Sequence, residues 1–91
     1  MKVENMVNSN GNKVANQFII TDEFVQVFQS YETVIARRIT LPNGWQRVEL
    51  DAKAWDYSTT TGRYRNQFLG ETKRETQARI DSGEYELVDL N

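Results

Sequence analysis

The pattern of this chain changes character at Asp51, and that change constrains its fold more than any single motif. From Lys13 to Leu50 the residues are rich in β-branched and aromatic side chains and are cut by short turn signals, which is a strand signature. Beyond Asp51, Tyr57, Thr61, Tyr64 and Phe68 recur at spacings of four, three and four, the period of a helix. Strands gathered in one half and helices in the other define an α+β domain, with its layers packed around one core.

Within the first half, the runs Val14 to Thr21, Phe24 to Ser30, Thr33 to Thr40 and Trp45 to Leu50 are separated by Asp22-Glu23, Tyr31-Glu32 and Pro42-Asn43-Gly44. The last break is the strongest, because proline presets φ and Asn-Gly tolerates the positive φ of a tight hairpin. Connectors this short favour antiparallel pairing, since a parallel crossover takes about a dozen residues or more. Phe24, Gln26 and Phe28 alternate with Val25, Val27 and Gln29, so the second run is apolar on both faces and belongs in the middle of a sheet. The tandem Arg37 and Arg38 point to opposite faces. Met1 to Asn12, with four asparagines, a serine and a glycine, reads as a flexible lead or the ragged start of a strand.

The second half predicts a helix from about Thr59 to Leu69, stopped by Gly70. Thr72-Lys73-Arg74-Glu75 then matches a capping box, opening a second helix from Lys73 to Ser82 that ends at Gly83. Its apolar content is only Ala78 and Ile80, which places it on the surface. Glu84 to Leu90 reads as a last strand added to a sheet edge. The expected fold is an antiparallel meander of four to five strands followed by two short helices and a C-terminal strand. Residues 1–12 form the lead, and 13–91 a single α+β domain.

A chain of 91 residues has room for one modest core. A deep enzyme cleft is not expected. With no cysteine and no histidine, neither disulfides, thiolate or imidazole metal ligands nor a His-dependent nucleophile is available. No cofactor and no metal are expected, and stability rests on burial and hydrogen bonding. The start of the chain lacks a charged segment followed by an apolar run, so neither secretion nor membrane spanning is expected and the cytoplasm is the predicted location. Net charge is −2, which argues against both general attraction to nucleic acid and heavily acidic mimicry of it.

Local charge is uneven. Between Arg63 and Arg79 five basic side chains (Arg63, Arg65, Lys73, Arg74 and Arg79) face two acids, whereas four acids and no base follow from Asp81 onward. Arg63, Tyr64 and Arg65 place an aromatic between two cations, a combination suited to nucleic-acid contact with stacking. Helical geometry instead turns Tyr64 into the core with Phe68 and leaves both arginines on a solvated face. Ser58 to Thr61 precede a helix, where free amides bind anions, but simple capping explains them more cheaply. Asp51 and Asp56 flank Trp55 as a conceivable acid and base pair; as a turn residue and a helix-start residue they need no catalytic role. Tyr31 and Trp45 sit at corners, either as edge cover for the core or as aromatic anchors for a partner.

Four segments carry a resemblance. They are Asn12-Lys13-Val14-Ala15-Asn16-Gln17-Phe18, Phe28 to Ala36 (FQSYETVIA), Trp55 to Thr61 (WDYSTTT) with Gln67 to Thr72 (QFLGET), and Ser82-Gly83-Glu84-Tyr85. Together they resemble a small uncharacterised domain family of bacteriophages and mobile elements of Gram-positive bacteria, over about residues 12–91. The resemblance implies a setting, with no activity attached. Proteins of this kind commonly bind a host protein or a defence complex, and anti-CRISPR inhibition is one option within that class.

The expected function is therefore non-enzymatic binding that modulates a host macromolecule, with a host protein or ribonucleoprotein as partner. Arg63, Arg65, Lys73, Arg74 and Tyr31 are the candidate contact residues. The alternative is an accessory protein that binds nucleic acid through the basic helical patch. An exposed terminal strand leaves both a monomer and an edge-to-edge homodimer open.

Overall fold

A computed structural model describes every residue from Met1 to Asn91. Six strands form one sheet in sequence order: β1 (Lys2–Val7), β2 (Lys13–Thr21), β3 (Val25–Ser30), β4 (Thr33–Thr40), β5 (Gln46–Asp51) and β6 (Tyr85–Val88). Helices α1 (Thr59–Leu69) and α2 (Lys73–Asp81) lie between β5 and β6. The fold is α+β, with a five-stranded antiparallel meander preceding the helices.

Two features add to the sequence reading, which left residues 1–12 as a flexible lead or a ragged strand start and gave the last strand no direction. The lead forms the edge strand β1, pairing Lys2 with Thr21 and Asn5 with Phe18 before an irregularity between Asn5 and Val7. That irregularity coincides with the turning of Met6 into the core, where it is 3% exposed. The final strand does join a sheet edge, but it pairs parallel to β5, Val48 opposite Tyr85 and Asp51 opposite Val88. The long α1–α2 connection supplies the crossover that a parallel pair needs.

Turn chemistry fixes the meander. Leu41 and Trp45 close the β4–β5 hairpin, with the Leu41 N–H donating to the Trp45 carbonyl and Gly44 at a φ of 87°. The β3–β4 turn is less relaxed, because Tyr31, a bulky residue, adopts a left-handed φ of 55°.

Register sorts the side chains into two faces. The cross-strand row Ile19, Phe28, Ala36 and Leu50 points at the helices, and its last three members are 0% exposed. Helix α1 lies over β2 and β3, stacking Phe68 on Phe28 with ring centroids 6.0 Å apart. Tyr64 and Phe68 are both buried, as the helical spacing predicts. Ser58 caps α1 by accepting from the Thr61 N–H at 3.1 Å, and Gly70 ends it in the left-handed region. At that end Arg38 donates to the Phe68 carbonyl at 2.7 Å while its guanidinium lies over the Phe68 ring. A helix carbonyl that would otherwise lack a partner is thus satisfied from the sheet.

Helix α2 carries the full capping box, Thr72 and Glu75 each bonding the other's backbone, and buries only Thr76. It packs against β6. No helix is long and apolar enough to cross a membrane.

Candidate functional site

The direction of each strand gathers several candidate residues at one end of the sheet. There β1 turns into β2, β3 turns into β4, β5 leads to α1, and the tail follows β6. Ser30 and Thr61 share a hydrogen bond of 3.0 Å between their hydroxyls, holding the β3 end under the first turn of α1. Tyr31 follows Ser30 and is 58% exposed.

Arg63 stands between two concavities at this end. One, of about 660 Å³, is lined by Asp56, Tyr57, Ser58, Arg63 and Lys73 among others. The second, of about 480 Å³, is bounded by Val7 at the end of β1, by Asn8 and Ser9 of the β1–β2 turn and by Arg63, Tyr64 and Gln67 of α1. Arg63 is exposed and makes no ion pair. Tyr57, just before the helix, is 51% exposed and lines the first concavity with Arg63.

Arg65 is placed differently from the expectation. It is 1% exposed and donates to the Trp55 carbonyl at 2.7 Å, to Asp56 Oδ1 at 3.2 Å and to Asn66 Oδ1 at 3.0 Å. Its guanidinium also lies 5.2 Å from the Trp55 ring centre. The reason is the β5–α1 connection, which folds Trp55 and Asp56 back over the helix and so covers a position that helical spacing alone assigns to solvent. Arg65 ties the connection to the helix and lines the floor of the first concavity.

Lys73 is 60% exposed at its side chain and pairs with Asp56 Oδ2 at 2.7 Å, so α2 is fastened to the same connection. Arg74 lies on the surface of α2 with Lys73, Gln77 and Asp81, and does not line the concavities beside Arg63. The five candidates therefore divide: Arg63 and Tyr31 at the sheet end, Arg74 on the surface of α2, Lys73 lining both the Arg63 concavity and the Arg74 surface, and Arg65 buried.

Neither aspartate is arranged as an acid or base for neutral pH. Burial raises the Asp51 carboxyl, but it is held below its usual range by donors from the Leu90 and Ala54 amides, both at 2.9 Å, and from Asn91 and Lys53. Burial likewise raises Asp56, and the bonds from Lys73 and Arg65 outweigh it. Asp51 shapes the turn after β5 and anchors the tail. No three acidic side chains come together in a group able to hold a metal ion.

The opposite face of the sheet was not anticipated as a surface. The row Val3, Ile20, Val27, Arg37, Glu49 and Glu86 runs along it, with Phe18, Val25, Val34 and Ile39 in the flanking rows. Neither helix reaches it. The sequence did signal the residues, since β3 is apolar on both sides.

Residues 1–84 match the family described as "Family of unknown function (DUF8033)". The chain belongs to that family. DUF8033 thus spans the five-stranded meander, both helices and the helix-start concavity, stopping just before β6. No curated protein and no solved structure matches the chain.

Proposed function

We propose that this DUF8033 domain is a small phage or mobile-element protein that binds and modulates a host macromolecule without catalysing a reaction. The single observation that carries this reading is Arg63, an exposed cation without an ion pair, set between two open concavities at the sheet end. Cations held on a helix between recesses suit an acidic protein surface, with the recesses receiving neighbouring side chains. Tyr31 and Tyr57 add exposed aromatic area of the kind that anchors interfaces. The left-handed backbone of Tyr31 supports a contact role, since strain of this sort concentrates at functional positions. The partner is a host protein or ribonucleoprotein of the cytoplasm, a defence complex being one option and CRISPR inhibition one form of it.

The nucleic-acid reading is weakened by the loss of cations from the basic patch. Arg65 is buried and Lys73 is paired with Asp56, leaving Arg63 and Arg74 on separate surfaces. Affinity purification from host lysate with wild-type protein, Arg63→Glu and Tyr31→Ala, with and without nuclease, tests the proposal. A defined protein captured by wild type after nuclease treatment, and lost with Arg63→Glu, supports it. Capture that disappears with nuclease and weakens steeply with salt favours nucleic acid instead.

A further inference from the structure

We propose that the helix-free face of the sheet is a self-association surface, on which a second copy of this chain packs face to face.

The sheet has helices on one side only. On the other, Ile20, Val27 and Ile39 occupy adjoining positions of three neighbouring strands, bordered by Val3, Phe18 and Val25. These aliphatic and aromatic side chains shield one another partly, and nothing lies over them. Val3 is 58% exposed, and Phe18, Ile20, Val25, Val27 and Ile39 are half-buried.

Charge and area favour a second copy as the occupant. The charged side chains of this face are Arg37 and Arg47 against Glu49, Asp51 and Glu86, all on β4 to β6, with Asp51 buried under the Ala54 and Leu90 amides it accepts from. Arg37 already pairs with Glu49 across the ladder, its Nε at 2.9 Å. A strongly acidic or basic partner finds no opposing field there, whereas two copies meeting through a face of mixed sign bring little like charge together. Strands ~4.8 Å apart and about 20 Å long give a six-stranded face an outline of roughly 600 Å², so two fully overlapping faces hide at most on the order of 1,200 Å², the lower end of the range of stable interfaces. Two-fold pairing brings the same patch together on both copies, the apolar side chains of β1 to β4 meeting their counterparts and the charged side chains of β4 to β6 lying to one side of them. It leaves α1, α2 and Arg63 facing outward on both sides, so the dimer carries two copies of the helix-side surface.

Light scattering after size exclusion, from about 1 to 200 μM, reads the mass directly. The expected result is twice the chain mass of 10.6 kDa at the upper concentrations. The double variant Ile20→Thr with Ile39→Thr, which keeps β-branched residues in the strands, is expected to weaken association at least tenfold with unchanged far-UV circular dichroism. Should that variant fail to fold, a wild-type sample mixing ¹³C-labelled and unlabelled chains is expected to give intermolecular contacts from the Ile20, Val27 and Ile39 methyls. A monomer throughout the concentration range overturns the proposal. So does a dimer that the folded variant leaves intact, or one lacking those methyl contacts, because it then forms through a sheet edge. Arg63→Glu is expected to leave the dimer unchanged, which separates this result from the test of partner binding.

Discussion

The Tyr85 hydroxyl, at the start of β6, donates to Oε1 of Glu71 at 2.6 Å and so joins the C-terminal strand to the segment between the two helices. Burial first, and the Glu71 carboxylate second, push the tyrosine up to about 12. An unfolded tyrosine titrates near 10. Because the folded value is the higher one, the linked stability is fully present below about pH 10 and is lost as pH rises from there toward 12. Urea unfolding at pH 8, 10 and 11.5 should show wild type losing stability across that window. Tyr85→Phe should start lower at pH 8 and show a smaller slope. Equal slopes would remove Tyr85 as the cause.

Arg65 and Arg63, two residues apart on α1, should respond oppositely to truncation. Arg65→Ala removes a buried cation that three acceptors use, a loss of about 2–4 kcal/mol, and Arg65→Lys should not restore it because one ammonium cannot reproduce the fork. Arg63→Ala should stay within about 0.5 kcal/mol of wild type, as exposed sites do. Chemical denaturation of the three variants gives the comparison. A stable Arg65→Ala protein would contradict the burial and bonding described for it.

Gly62 lies in the interior of α1 with no positive φ, and a methyl placed there meets the Arg65 guanidinium no closer than 3.6 Å. That is ordinary contact. Gly62→Ala should therefore gain helix propensity, stabilising the domain by roughly 0.5–1 kcal/mol. Thermal unfolding reads the sign. A lowered melting temperature would show that the Arg65 tie has no room to adjust.

Asp51 controls the acid side. Its carboxyl is lowered by the donors that surround it, so its contribution is present above the unfolded value near 3.9 and is lost as pH falls through the folded one. Asp51→Ala leaves the Leu90, Ala54 and Lys53 amides without their acceptor, a loss of about 2–4 kcal/mol at pH 7. The variant should also lose part of the wild type's drop in stability between pH 5 and 2. Denaturant titrations across that range decide it.

Local signals made much of this fold readable. Ser58, Gly70, Thr72 and Glu75 mark helix ends by bonding their own neighbours, so the sequence sufficed to place both helices nearly to the residue. Pro42-Asn43-Gly44 did the same for the β4–β5 hairpin. β1 was hidden because an edge strand can be held by a single buried side chain, here Met6, amid exposed asparagines. The direction of β6 carries no local mark, since a strand's residues look alike whichever way its neighbour runs. Arg65 was misplaced because helical spacing knows nothing of Trp55 and Asp56 folding over the helix from outside it. The apolar outer face was visible as double-sided alternation in β3, yet only the placement of both helices on one side left that face uncovered.

The β5–β6 ladder also dictates an order of events. Asp51 and Val88 become neighbours only after the polypeptide between them has crossed the sheet, so this pairing waits for nearly all of the chain to leave the ribosome. The hairpins of the meander close earlier, from residues already in hand. Until the last strand arrives, the flank of β5 stays bare, and an emerging chain is open at that flank, as at the outer edge of β1, to capture by a chaperone or by a neighbouring strand.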